Sequence, residues 1–175
     1  MREFIRDFFI AVLLAVCVFF SIQAMLLQCV VRQTSMTPTI VEGQRIFINK
    51  TAYLFNTPGR GDIIVFNPVQ RNSEIPLIKR VIGLPNETIT VKDGAVYIDN
   101  APLDEPYLKE VPEYRISEII VPEDHYFVLG DNRNGSYDSH CGWTVDNESI
   151  IGKAWISIWP LDTLGPAPNY AFADN

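Results

Sequence analysis

From Phe8 to Val31 the chain carries 24 consecutive uncharged residues, broken only by the polar side chains of Ser21, Gln23 and Gln28. As a helix this run would be about 36 Å long, at roughly 1.5 Å per residue, enough to cross the hydrocarbon of a bilayer with some tilt. A cleaved signal peptide is one rival, but its apolar core is shorter and ends in a small-x-small site. Ile22-Gln23-Ala24 is a poor match to such a site, and the run continues past it. A buried core helix is the other rival, and a helix with no polar face fits poorly inside so small a domain. The sequence therefore predicts an N-terminal stub and lipid-embedded anchor over residues 1–31 and one domain over residues 32–175.

Charge narrows the partners of that domain. Arg2, Glu3, Arg6 and Asp7 cancel, so the formal net charge of −7 falls on residues beyond the anchor. Nucleic acid is excluded as a partner, because phosphate binding needs clustered Lys and Arg. Arg2 and Arg6 favour a cytoplasmic N-terminus, but Arg32, Arg45 and Lys50 lie on the other flank, and charge alone leaves the orientation open. Cys17 and Cys29 lie inside the apolar run, leaving Cys141 without a partner in the domain, so no disulfide framework is expected. The His140-Cys141 spacing matches no zinc pattern, and no glycine-rich phosphate loop is present, so neither a metal nor a cofactor is expected.

The domain reads as mainly β. Arg45–Ile48, Ile63–Phe66, Tyr126–Leu129 and Ala154–Ile158 are short runs of β-branched and aromatic residues bounded by turn formers. Thr88 to Ile98 alternates on both sides of Asp93-Gly94, which predicts a hairpin closed by a primed turn. Prolines at positions 102, 106, 112 and 122 mark a less regular stretch, expected to form a small peripheral lobe over about residues 100–125. The stretch from Pro160 to Asn175 reads as a surface tail.

Three segments could carry chemistry. The first holds Ser35, in Gln33-Thr34-Ser35-Met36-Thr37-Pro38-Thr39; with only three residues between it and the apolar run, its hydroxyl would lie within roughly 14 Å of the bilayer. Taken alone, this segment is an ordinary polar linker. Serine is a weak nucleophile unless a base takes its proton. The second segment, Leu77 to Pro85, places Lys79 among apolar residues. A lysine there either snorkels to water or is buried, and burial disfavours the ammonium and makes the amine a base. Arg80 is compatible with that role if its charge points into solvent. The third segment, Gly130 to His140, is either a solvated loop or a loop folded back on the site, with Asp131, Arg133 and Asp138 in charge-assisted hydrogen bonds and Ser136 orienting the amine. His125 and His140 are the only imidazoles, so a conventional Ser/His/Asp triad is the rival.

Together these segments resemble the type I signal peptidases. The matching pieces are Ser35-Met36-Thr37-Pro38-Thr39, Gly61-Asp62-Ile63-Ile64-Val65-Phe66, Lys79-Arg80-Val81-Ile82-Gly83-Leu84-Pro85, and Gly130-Asp131-Asn132-Arg133 running on to Ser136, Asp138 and Ser139, in the family's order. The resemblance implies a β-rich catalytic body with a smaller lobe. It also implies an endopeptidase that removes signal peptides from exported preproteins at small-x-small sites on the extracytoplasmic face of the membrane. By motif position Ser35 is the nucleophile, Lys79 the general base, and Ser136 a hydrogen-bond partner of the amine. Asp131, Arg133 and Asp138 shape the site, and Met36, Ile40, Leu77 and Ile78 line shallow pockets for the substrate's small side chains. The substrate is expected to pair as an extended strand with an open sheet edge.

Two positions depart from the family pattern. His140 stands where an arginine is usual, so an ion pair with Asp138 would depend on pH. Gln33 stands where some members carry a hydroxyl that joins the Ser35 amide in the oxyanion hole. A non-enzymatic, membrane-tethered β domain is the reading outside catalysis.

Overall fold

A computed structural model describes residues 2–68 and 75–172. Helix α1 (Arg2–Met25) is followed by strands β1 (Leu26–Val30), β2 (Arg45–Asn49), β3 (Ile63–Phe66), β4 (Leu77–Gly83), β5 (Thr88–Lys92) and β6 (Ala95–Ile98). Then come β7 (Ala101–Pro102), β8 (Ile116–Ile120), β9 (His125–Leu129), β10 (Val145–Asp146), β11 (Ile150–Trp159) and β12 (Gly165–Pro166). All strand pairings among the described residues are antiparallel. The chain is mainly β, as its alternating runs predict.

Every side chain from Glu3 to Met25 is exposed, so α1 presents its apolar surface outward and is not a core helix. Residues Glu3–Met25 are long and apolar enough to cross a membrane. The apolar run nevertheless does not continue as helix to Val31. Leu26 to Val30 pair with Asn49 to Arg45, and the Lys50 amide donates to the Met25 carbonyl at 2.9 Å. Uncharged residues serve a strand as readily as a membrane helix, and here the free edge of β2 decides the outcome. β1 carries the chain about 17 Å from the helix end, at roughly 3.4 Å per residue, so Ser35 is not held within the short reach that a helix ending at Val31 would impose.

The larger sheet runs β1-β2-β11-β3-β4-β9-β10, with β12 on β11; the smaller runs β7-β6-β5-β8. In the smaller sheet Lys92 pairs with Ala95, and Asp93 and Gly94 both have positive φ (52° and 76°), the backbone of a primed two-residue turn. The smaller sheet starts at Thr88, ahead of the prolines, because the hairpin and β8 form one sheet. The segment between β7 and β8 turns back to the larger sheet, where Glu105 and Tyr107 reach the site.

The C-terminal stretch is not a surface tail over its described residues. β12 pairs with β11, and Ala167 is buried in the core. Asn169 accepts from the Ile63 amide and donates to the Ala154 carbonyl. These bonds satisfy backbone groups at the side of β3 and β11, so the prolines there shape a packed strap.

Candidate active site

β4 lies inside the larger sheet, and all seven of its residues are buried. Lys79 pairs with Ile64 on β3 and shares its face with Leu77 and Val81 by strand alternation. Ile64, Leu77 and Val81 belong to one apolar cluster. Its side chain, 1% exposed, ends with Nζ donating to Ser35 Oγ at 2.7 Å and to the Ile78 carbonyl at 3.0 Å. Ser35, 6% exposed, is held in a tight turn in which the Thr37 amide donates to Thr34 and the Ile40 amide to Met36. Met36 and Ile40 anchor that turn in the core.

The loop from Gly130 folds back on this turn, burying Asp131, Arg133, Ser136, Asp138 and Ser139 while Asn134, Gly135 and Tyr137 stay exposed. The Asn132 amide donates to the Ser35 carbonyl at 3.0 Å, and its side-chain Nδ2 donates to Thr34. Gly130 packs so closely beneath Ser35 that a side chain there would collide with the Ser35 carbonyl and with Ser136 Oγ. Asp138 is wholly buried; one of its oxygens accepts from the Gly130 amide at 2.9 Å and the other from His140 Nδ1 at 2.8 Å.

Arg80 does not point into solvent. It is 0% exposed and forms a bidentate ion pair with Asp131, while donating to the carbonyls of Gly61 and Pro168. The ring of Tyr107 covers its guanidinium at 4.1 Å. A carboxylate, in place of water, balances the charge beside Lys79. Arg133 is likewise buried, donating to Gly130 and bidentately to Glu105. Burial works against the Arg133 charge, but the Glu105 carboxylate more than offsets it and holds the guanidinium above its ordinary range. Burial, then Glu105, pushes the Tyr107 phenol well up.

Ser35 and Lys79 are thus brought into direct contact, with Asp131, Arg133 and Asp138 around them. Ser136 lies at the same place, but its buried Oγ makes no hydrogen bond among the described residues, so the expected bond to Lys79 is absent from this conformation. The four pocket residues divide: Met36, Ile40 and Ile78 share one buried cluster, whereas Leu77 joins another on the opposite face of β4. Neither imidazole bonds to Ser35; His125 meets Thr144, and His140 meets Asp138 and Cys141. Glu105 and Tyr107 were not legible as site residues, since nothing in a proline-rich charged stretch ties Glu105 to Arg133, 28 positions away, or Tyr107 to Arg80. Asn132 stands inside the matched motif without a chemical signal of its own.

The family model for signal peptidase, peptidase S26, matches residues 1–159. The chain belongs to the signal peptidase family. It is 47% identical over 145 residues to signal peptidase I of Leptolyngbya laminosa, covering 78% of this chain and 71% of that one. Signal peptidase I of Bacillus licheniformis is 33% identical over 174 residues, covering 93% and 90%. A crystal structure of a signal peptidase I from Enterococcus faecalis superposes with a TM-score of 0.50 at 36% identity, covering 56% of this chain and 97% of that one. As a member of this peptidase family the chain is a serine peptidase, a hydrolase, and its exposed apolar helix fits attachment to a membrane. The reading as a non-enzymatic tethered domain falls with that membership.

Proposed function

We propose that this signal peptidase family member is a membrane-anchored endopeptidase that removes signal peptides from exported preproteins, using Ser35 as nucleophile and Lys79 as general base. The observation that carries the reading is the 2.7 Å contact between Lys79 Nζ and Ser35 Oγ, with both side chains buried. An apolar setting favours the uncharged amine. In that form the contact reverses, the Ser35 hydroxyl donating its proton to Nζ as Oγ attacks the scissile carbonyl. The protonated amine then gives its proton to the leaving amine. Water hydrolyses the acyl-enzyme with the same amine as base, and backbone amides at Ser35 stabilise the oxyanion.

The substrate binds as an extended strand. The β9 ladder reaches β4 only from Arg80 onward, so Leu77 to Lys79 lie beyond it, on the side facing the Ser35 turn. Met36, Ile40 and Ile78 on one face of β4, and Leu77 on the other, limit the cleavage site to small side chains, giving small-x-small specificity. With α1 in the bilayer, the substrate's apolar segment lies in the same membrane, and the catalytic domain occupies the extracytoplasmic face.

The test is cleavage of a preprotein with an Ala-x-Ala site by the purified full chain. Cleavage after the second alanine, lost when either alanine becomes Phe and lost in Ser35→Ala and Lys79→Ala, is the expected result. Uniform activity of the Lys79→Ala variant overturns the dyad.

A further inference from the structure

Among the described residues outside the dyad, one other nucleophile is placed against a base. Ser139–Cys141 forms a single short helical turn, and within it Cys141 Sγ lies 3.3 Å from His140 Nε2. The other ring nitrogen, Nδ1, lies 2.8 Å from Asp138 Oδ1, and Asp138 is wholly buried. A carboxylate at Nδ1 keeps the proton of a neutral imidazole on that nitrogen and leaves the Nε2 lone pair facing the sulfur. The imidazole plane is fixed as well, because the Tyr114 ring stacks on it at 4.4 Å with the planes 20° apart. Tyr114, from the segment between β7 and β8, and Asp138 are the titratable groups touching this imidazole besides Cys141 itself.

The thiol is also accessible. Cys141 is exposed, and the position beside it at Gly142 opens onto empty space. A sulfur with a base in line, a carboxylate behind the base and open access in front is the arrangement of a reactive thiol.

The geometry points to Cys141 as a site of thiol–disulfide exchange, activated by His140 and Asp138, that takes small aliphatic disulfides as its co-reactant. The thiol proton passes to His140 Nε2, and Sγ attacks one sulfur of the disulfide. The new Cys141 S–S bond forms as the old disulfide bond breaks, and the departing thiolate recovers the proton from Nε2. One disulfide and one thiol are consumed and one of each is produced. The site is independent of the peptidase reading, although Asp138 also holds the Gly130 amide beneath Ser35.

The probe is oxidised glutathione at pH 7, added to the full chain in detergent, with the adduct located by peptide mass mapping among Cys17, Cys29 and Cys141. Cys141 is expected to gain the glutathionyl group about tenfold faster in the folded chain than in the same chain unfolded in guanidinium chloride. In His140→Gln, shown to be folded by near-ultraviolet circular dichroism, the rate is expected to fall by about tenfold, and Cys141→Ser abolishes the adduct. A Cys141 that reacts no faster folded than unfolded overturns the proposal without recourse to any variant. So does an unchanged rate in folded His140→Gln.

Discussion

Arg80 and Asp131 form a two-pronged ion pair, with nitrogen to oxygen distances of 2.8 and 2.7 Å and neither side chain exposed to water. The pair stands one residue along β4 from Lys79, so the charge of this neighbouring arginine is answered inside the protein. Removing one member of such a pair leaves the other as an uncompensated buried charge.

Asp131→Asn is accordingly expected to destabilise the fold by about 3–5 kcal/mol. Denaturant unfolding of the detergent-solubilised chain measures it as a lower midpoint. An unchanged midpoint contradicts the role given to this pair.

Glu105→Gln tests whether the segment between β7 and β8 belongs to the site. Glu105 neutralises Arg133, which also donates to the Gly130 carbonyl. Loss of the carboxylate should lower stability by about 3–5 kcal/mol and reduce turnover of a preprotein, although Glu105 lies outside every matched motif. Wild-type stability and turnover would make the segment a bystander.

Gly130→Ala should disable the peptidase. The added methyl would strike the Ser35 carbonyl and Ser136 Oγ, so either Ser35 or the loop must shift. Overpacking of this kind costs about 1–3 kcal/mol. A displacement of about 1 Å at the nucleophile costs about 100-fold in rate. Steady-state cleavage and unfolding measured together separate the two effects.

The buried phenols set the alkaline limit of stability. Burial first, then the negative charge of Asp138, raises the Tyr114 phenol, and burial with Glu105 raises that of Tyr107. In the unfolded chain tyrosines ionise near about pH 10, so above that pH the unfolded state has released protons that the folded state still holds. Stability therefore falls as pH rises past that point. The Tyr114 hydroxyl has no hydrogen-bond partner among the described residues, so Tyr114→Phe should be neutral or stabilising at pH 7. The same variant should lose stability less steeply above about pH 10, as urea unfolding at several pH values would show.

What was legible in the sequence lies in local pattern. The Asp93-Gly94 hairpin follows from alternation and turn chemistry, and Ser35 and Lys79 stand inside short motifs that the structure brings into contact. What escaped depends on contacts between distant segments. The end of α1 is fixed by β2, which recruits Leu26 to Val30 as a strand although their composition continues the apolar run. Where the Arg80 charge points is left open until Asp131 is seen opposite it, 51 positions away. The C-terminal prolines read as a tail because the bonds that bind Asn169 to Ile63 and Ala154 leave no periodic trace.

The central claim is that Lys79, uncharged, takes the proton of Ser35, and the pH dependence of kcat/KM for one preprotein over about pH 6 to 10 tests it most directly. The account predicts a rise toward alkaline pH that survives His140→Gln and His125→Gln and collapses, by about 100-fold or more, in Lys79→Ala. A profile governed by a single imidazole-like transition, abolished in a folded histidine variant and retained in Lys79→Ala, would contradict it.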